Sequence, residues 1–242
     1  MVLVFASNNA HKLEEVRGIM PAGIEVLSLR DIGFESEIEE TGTTLEENSL
    51  IKAEAVYHWI LDNGHWTLDG VFADDTGLEI DALGGKPGVY TARWYSRSHS
   101  SDTRNDNVVT IGPRKLRSPQ KSADYLGTPM SEREIFAANR AKALRELKGK
   151  EDRSAQFRTV ITLIRLKDGA ERLQDATLQV EGIVRGRIAE EEFGQGGFGY
   201  DPIFIPEGYD KTFGELPAAI KNGISHRARA LQALVKVIGY GL

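Results

Sequence analysis

The stretch that decides the fold of this chain is Val71-Phe72-Ala73-Asp74-Asp75-Thr76-Gly77. Its apolar start predicts a buried strand, and the two acidic residues followed by a glycine predict a turn at the end of that strand. Two neighbouring carboxylates repel each other when they are buried, so a cation or a shared proton has to stabilise such a pair. The stretch therefore indicates either a metal site at a strand end or an ordinary polar turn.

The sequence before this stretch alternates between strand and helix patterns. An apolar run at residues 2–6 predicts a first strand, followed by a helix that Asn8 or Asn9 caps. A second strand is predicted at 26–29. The capping box that begins at Thr44 and ends at Glu47 then opens a helix that runs to about residue 63.

The sequence after the stretch is richer in strands. Strands are predicted at 78–83, 157–166, 176–184 and 202–205, a second capping box opens a helix at Ser131, and Ser225 caps a final helix. This succession favours an α/β fold with a mixed sheet flanked by helices. We expect one domain over residues 1–242, interrupted at about 96–130 by a segment with little apolar periodicity and a basic patch. That segment is a functional flap, a mobile insertion or, less favoured, a nucleic-acid-binding arm.

Composition excludes several classes of protein. The chain has 242 residues and no cysteine, so disulfides and thiolate metal sites are excluded and a reducing compartment, the cytoplasm, is expected. A net charge of −6 argues against a general nucleic-acid binder. No apolar stretch approaches the roughly 18 residues of a membrane span, and the short apolar N-terminus does not fit a signal peptide.

Cations stand at two helix starts, where the helix dipole disfavours them. Lys12 lies in the first turn of the first helix, and His226 and Arg227 follow the cap of the last helix, with Lys221 just upstream. This arrangement indicates a bound anion such as phosphate, or else tolerated surface charge.

Two further charged residues could belong to the same site. Glu40 precedes the second helix and could bring another carboxylate towards Asp75. Lys52 lies about two turns into that helix, where an ordinary solvated lysine is the alternative.

A glycine-rich run at 194–199 satisfies the G-x-G-x-x-G pattern formally. A dinucleotide site needs a helix after the glycines, whereas Pro202 and an apolar strand-like run follow here. We therefore reject dinucleotide binding. The glycines either let the backbone approach a ligand or form a tight turn.

Six ordered motifs together resemble those of a known family. They are Ser7-Asn8-x-x-x-Lys12; Glu40-Thr41-Gly42 with Glu47-Asn48 and Lys52-Ala53; Ala73-Asp74-Asp75-Thr76-Gly77-Leu78; Leu83-Gly84-Gly85-x-Pro87-Gly88-x-Tyr90 with Arg93; Gly196-Gly197-Phe198-Gly199-Tyr200-Asp201-Pro202; and Ile224-Ser225-His226-Arg227. In this order the chain resembles the inosine/xanthosine triphosphate pyrophosphatases. The resemblance implies a Mg²⁺-dependent, homodimeric enzyme with an elongated α/β fold of two lobes around a nucleotide cleft. It implies hydrolysis of ITP, dITP and XTP to the monophosphate and pyrophosphate, which cleanses the nucleotide pool.

The resemblance also implies residue roles. Asp75 is the catalytic carboxylate and, with Glu40, a metal ligand. The implied phosphate-contacting residues are Ser7, Asn8, Asn9, Ala10, His11, Lys12, Lys52 and Arg93, with Thr76 adjoining. The implied nucleotide and base pocket comprises Phe198, Gly199, Tyr200, Asp201, Lys221, His226 and Arg227.

Two alternatives to this function stay open on the sequence. One is a Maf-like pyrophosphatase that acts on modified pyrimidine nucleotides. The other is a nucleotide-binding protein without catalysis that uses the 96–130 segment as an interaction arm, although the acidic set Glu40, Asp74 and Asp75 argues against it. In the resembled family a much shorter loop is expected at 96–130, which leaves the oligomeric state and the fine specificity open.

Overall fold

A computed structural model describes residues 1–64, 67–96, 130–166 and 176–239 of the chain. Its strands are β1 (Val2–Phe5), β2 (Glu25–Ser28), β3 (Gly70–Ile80), β4 (Lys86–Gly88), β5 (Ser154–Arg165), β6 (Thr177–Ile188) and β7 (Phe204–Pro206). Its α-helices are α1 (Ala10–Ile19), α2 (Leu45–Asn63), α3 (Glu132–Glu146), α4 (Ala218–Ile224) and α5 (His226–Val237). Short 3-10 turns cover Asp81–Leu83, Thr91–Arg93 and Asp201–Ile203. The predicted α/β class is confirmed, and the two-lobe shape stays a prediction.

The described strands form one mixed sheet in the order β2-β1-β3-β5-β6-β7, with β4 paired to β3. β1 runs parallel to β2 and β3, and the pairs from β3 through β5 and β6 to β7 are antiparallel. Val4, Val71 and Ala73 pack with α2 on one face of the sheet. Leu3 and Phe72 pack with α1 and α5 on the other face. Successive residues of the central strands therefore alternate between two apolar layers.

The structure corrects the prediction for the central acidic stretch. Residues 70–80 form one continuous strand, so the predicted turn at 74–77 and the separate strand at 78–83 are wrong. The reason is the ladder with β5, which runs without a break from the Gly70–Arg165 pair to the Ile80–Ala155 pair. Gly77 serves close approach, since a Cβ there would lie 3.0 Å from the Gly88 carbonyl oxygen of β4.

The strands beside β3 leave part of its other edge open. β1 ends at Phe5, opposite Phe72, and β4 begins its pairing only at Leu78. Between these points, residues 74–77 have no strand neighbour on this side among the described residues. Asp74 and Asp75 therefore lie beside a gap in the sheet, and Asp74 is enclosed, with 1% of its surface exposed.

Local signals for the helices are confirmed. Asn9 caps α1 by accepting from the Lys12 amide, Thr44 and Ser131 form complete capping boxes, and Ser225 caps α5. The strand expected at 202–205 begins at Phe204, because Pro202 lies in a 3-10 turn. Of the predicted insertion, residues 97–129 lie outside the described part of the chain, so its role stays a prediction. No helix of the described ranges is long and apolar enough to cross a membrane.

We predict that Gly182→Ala destabilises the protein by about 2 kcal/mol, because the added methyl group overpacks a rigid contact. A Cβ at Gly182 would lie 2.2 Å from both the Ala230 amide nitrogen and the His226 carbonyl oxygen of α5. These are backbone atoms, so they can move only if the helix moves with them. The measurement is urea unfolding followed by circular dichroism. The matched control is Gly223→Ala in α4, where a Cβ meets nothing within 4 Å. Equal stability of the two variants would contradict the prediction.

Candidate active site

The two central aspartates point to opposite faces of β3 and have different partners. Asp74 accepts hydrogen bonds from Lys12 Nζ at 2.9 Å and from Arg227 Nε at 3.0 Å. Asp75 accepts from Lys52 Nζ at 2.9 Å, and Asn48 Nδ2 lies 3.4 Å away. The predicted side-by-side carboxylate pair is therefore wrong, since alternation along a strand separates the two side chains.

Glu40 lies beside Asp75, as the sequence predicts. Lys52 Nζ lies 2.7 Å from Glu40 Oε1 and 2.9 Å from Asp75 Oδ1, so both carboxylates converge on one cation. Arg93 Nη1 approaches Glu40 Oε2 at 3.3 Å from the rim. Lys52 is only 8% exposed, so the alternative of an ordinary solvated lysine is wrong.

The surroundings drive the pKa values of these carboxyl groups apart. Burial raises the pKa of Asp75, and Glu40 adds to this, although Lys52 and Lys12 oppose it. Burial also acts on Asp74, but Lys12 and Arg227 together outweigh it, and its pKa lies well below the usual range. For Glu40, the charges of Lys52, Lys12 and Arg93 likewise outweigh burial and lower the pKa. Asp75 is thus the carboxylate of this trio best prepared to accept a proton.

A buried charge chain leads away from Asp74 along the α1 and α5 side of the sheet. Arg227 binds Asp74 and also Glu15 of α1. Lys221 Nζ lies 2.6 Å from Glu15 Oε1 and 2.6 Å from Asp201 Oδ2. The chain thus alternates in sign through Lys12, Asp74, Arg227, Glu15, Lys221 and Asp201.

Sequence reasoning missed Glu15. The signal available was helical spacing, since Lys12, Glu15 and Ile19 share one face of α1. In the structure, the cations that looked misplaced at two helix starts are paired by the protein's own Asp74 and Glu15. The bound anion that the sequence indicated stays a prediction.

A cavity of about 340 Å³ opens at the gap in the sheet, a volume typical of small-molecule sites. Most of the predicted site residues line it together: Ser7, Asn8, Asn9, Lys12, Glu40, Lys52, Asp75, Thr76, Arg93, Phe198, Gly199, Tyr200, Asp201, Lys221, His226 and Arg227. Ala10 and His11, which were also predicted, do not line it. His11 instead stacks against Phe198, with ring centroids 5.4 Å apart.

Phe198 gives the cavity an aromatic wall, here called its aromatic end. Lys221 Nζ lies 5.0 Å from the centre of its ring, and the Arg227 guanidinium carbon lies 5.8 Å from it. Asp201 accepts a hydrogen bond of 2.8 Å from the Phe198 amide, and this bond closes a tight backbone turn over residues 198–201. The wall also contains Phe136 and Phe157, neither of which the motifs predicted.

His226 lines the cavity and has a buried polar atom without a partner in the described part of the chain. Burial, aided by the neighbouring charges of Arg227 and Lys221, holds the pKa of His226 well below its usual range, so the imidazole is neutral. Its ring stacks on Phe157 at 4.6 Å between centroids. Nδ1 is buried and has no hydrogen-bond partner among the described residues. An unpaired buried nitrogen is costly in a folded protein, so a ligand group is a natural partner for it.

Known proteins resemble this chain along almost its whole length. A protein-family model described as the Ham1 family matches residues 3–118 and 120–237. The dITP/XTP pyrophosphatase of Flavobacterium johnsoniae is 40% identical over 238 residues, with 98% of each chain covered. That of Bacillus subtilis is 41% identical over 238 residues, with 97% of this chain and 96% of the relative covered. Two solved structures also match in full.

The first of these structures is the Staphylococcus aureus Ham1 protein, with 32% identity, 98% of both chains covered and a TM-score of 0.67. The second is a HAM1 protein from Coxiella burnetii, with 31% identity, full coverage of both chains and a TM-score of 0.69. The two structures therefore share the fold of this chain.

We predict that Glu15→Gln destabilises the protein by about 3 kcal/mol at neutral pH, because it leaves two buried cations short of a partner. Lys221 and Arg227 hold the pKa of Glu15 below its ordinary 4.5 against the opposing effect of burial. Stability from such a group is present above its unfolded-state pKa and is lost as the pH falls through its folded-state pKa. The variant should therefore lose less stability than the parent between about pH 6 and about pH 3.

The measurement is urea unfolding at several pH values, with the neighbouring variant Glu14→Gln as the control, since Glu14 is exposed and outside the charge chain. Parallel pH profiles of the parent and Glu15→Gln would show that Glu15 does not stabilise these cations.

Proposed function

Because the chain belongs to the Ham1 family, we propose that it hydrolyses non-standard purine nucleoside triphosphates such as ITP, dITP and XTP to the monophosphate and pyrophosphate. It is a nucleoside triphosphate pyrophosphatase that acts on the α–β phosphoanhydride bond and cleanses the nucleotide pool. The observation that carries this proposal is the convergence of Glu40 and Asp75 on one cation, in a cavity whose wall also contains Phe198.

The cationic end of the cavity suits a triphosphate. Lys12, Lys52 and Arg93 line it, and the turn from β1 into α1 presents the amides of a helix start. A triphosphate carries about four negative charges near neutral pH, so several cations and a metal ion are needed to neutralise it. We assign the phosphate contacts to Ser7, Asn8, Asn9, Lys12, Lys52 and Arg93.

The residues at this end fit a divalent metal ion. Glu40 and Asp75 offer hard carboxylate oxygens, and both already lie within 3 Å of one ammonium nitrogen. The described residues contain no group of three or more acidic or histidine ligands, which fits an ion that takes its remaining oxygens from substrate and water. We propose Mg²⁺ held by Glu40 and Asp75; when bound, such an ion polarises the phosphoryl group.

Asp75 is the general base in this proposal. It accepts a proton from a water molecule as the water oxygen bonds to the α-phosphorus. The bond between the α-phosphorus and the bridging oxygen breaks, and pyrophosphate leaves with both electrons of that bond. Lys52 holds the carboxylate in place through its hydrogen bond.

The aromatic end of the cavity suits a purine. Phe198 offers a stacking surface, and Arg227 offers guanidinium donors near it. A donor that faces position 6 of the ring pairs with the keto oxygen of hypoxanthine or xanthine, and is left unpaired by the amino group of adenine. Such a donor distinguishes ITP from ATP, whereas GTP has the same keto group as ITP.

We also propose a homodimer in the cytoplasm, with no nucleic-acid or membrane partner. The family resemblance supports the dimer, and the absence of cysteine is consistent with a reducing compartment. Light scattering coupled to size-exclusion chromatography tests the dimer.

We predict that Asp75→Asn lowers kcat for ITP by at least about a hundredfold, the usual contribution of a general base. The variant keeps the shape of the side chain and one acceptor oxygen for Lys52, so it should still fold, and circular dichroism checks this. Asp62→Asn is the control, since Asp62 is exposed at the far end of α2. Full activity of Asp75→Asn would remove Asp75 from the mechanism.

A substrate panel tests the reaction as a whole. We expect pyrophosphate from ITP, dITP and XTP in the presence of Mg²⁺, little from ATP, dTTP or UTP, and none after chelation of the metal. Glu40→Gln should raise the Mg²⁺ concentration needed for half-maximal rate, since it removes one of two carboxylates. Release of single phosphate groups, preference for pyrimidines, or ITP binding without any product would each refute the proposed function.

A further inference from the structure

Helix α3 reaches the aromatic end of the cavity, although no sequence motif placed a site residue on it. Phe136 and Arg140 lie one helical turn apart and therefore project from the same face of α3. Phe136 lines the cavity, with its ring centroid 6.3 Å from that of Phe198 and the two planes tilted by 42°. It is half-buried, so part of its surface is available to a ligand.

Arg140 does not line the cavity but holds a segment that does. Its Nη1 donates to the Gly199 carbonyl oxygen at 2.9 Å, and its Nη2 lies 3.0 Å from Glu192 Oε2. The Arg140 side chain is 14% exposed, so its two contacts, with Gly199 and with Glu192, are largely shielded from water. Gly199 follows Phe198 directly and has a φ of 60°, a conformation that suits glycine.

The segment from Phe198 to Asp201, here called the Phe198 loop, is closed by an internal hydrogen bond that Asp201 accepts from the Phe198 amide. Side chains also tie it to other parts of the chain: the Tyr200 hydroxyl donates to the Thr91 carbonyl oxygen at 3.1 Å, and Lys221 pairs with Asp201. Arg140 adds a tie from α3. The backbone of a loop is not held by a helix or by the ladder of a sheet. The position of the Phe198 ring therefore depends on these side-chain contacts.

We propose that α3 forms a second wall of the nucleobase site, in which Phe136 contacts the base and Arg140 positions the Phe198 loop. The inference rests on the proposed function and extends it to two residues. A planar base that stacks on Phe198 meets Phe136 at its side, so the site is narrow and apolar on two sides. Arg140 is a positioning residue, because it acts through Gly199.

The first test compares Phe136→Ala and Phe136→Leu with the parent. Loss of an aromatic contact to a base weakens binding by at least about fivefold, so KM for ITP should rise by that factor in the alanine variant. KM for ITP of the leucine variant should lie between the values of the parent and of the alanine variant. Because pyrophosphate has no base, its dissociation constant, measured by calorimetry, should not change. Phe193→Ala is the control, since Phe193 is 42% exposed and lies outside the cavity wall.

The second test uses Arg140→Met, Arg140→Lys and the control Arg145→Met, an exposed arginine on the same helix. Methionine loses both ties, and lysine keeps the charge but not the two-pronged geometry. KM for ITP should rise in the order parent, lysine, methionine, with kcat and pyrophosphate binding unchanged. If Arg140→Met does not fold, Glu192→Ala tests the same pair of contacts by removing the second partner of Arg140, and it should raise KM for ITP as well.

Three outcomes would overturn the inference. They are an unchanged KM for ITP in Phe136→Ala, an unchanged KM in the Arg140 and Glu192 variants, and a loss of pyrophosphate binding equal to that of ITP. If the parent releases no pyrophosphate from ITP, the proposed function fails separately. The dissociation constants of ITP for the same variants, measured by calorimetry, then still decide whether α3 contributes to the base site.

Discussion

The buried charge chain from Lys12 to Asp201 is the constraint on which the rest of the structure depends. Charged side chains are costly to bury unless each finds a partner of opposite sign with good geometry. Here Asp74, Arg227, Glu15 and Lys221 each have two such partners, so charge alternates without a gap along the chain. Removing Glu15 leaves each of its two neighbours, Arg227 and Lys221, with a single partner, so both sides of the chain lose stability.

This constraint joins elements that are distant in sequence. Glu15 and Arg227 are separated by 212 positions, and Asp74 and Arg227 by 153. Their pairing fixes α1, α4 and α5 on one face of the sheet, while Gly182 lets α5 lie directly against β6. The aromatic end of the cavity thus rests on a rigid ionic framework. The cationic end depends on Lys52, a single ammonium shared by two carboxylates, which leaves room for added cations and phosphate.

Local signals in the sequence predicted most elements but not their extent. Capping residues and apolar periods located the helices, because caps act within one turn of the chain. The continuity of β3 was not predictable in this way, since Asp74–Gly77 is held extended by β5, which is distant in sequence. The ordered motifs predicted most residues of the cavity wall, but they did not include Glu15, Phe136 and Arg140. Their importance depends on contacts across the fold, with Lys221, Phe198 and Gly199.

Asp74 and Asp75 have different partners because successive side chains of one strand point to opposite faces of the sheet. The two residues have the same side chain and adjacent positions, yet alternation turns one towards two cations and the other towards α2. Two strong cationic partners keep Asp74 ionised, so it serves as a permanent anion in the framework. Burial, aided by the neighbouring charge of Glu40, raises the pKa of Asp75 against the opposing charges of Lys52 and Lys12. Neighbouring carboxyl groups with pKa values driven in opposite directions are the pattern by which a site separates a structural charge from a proton acceptor.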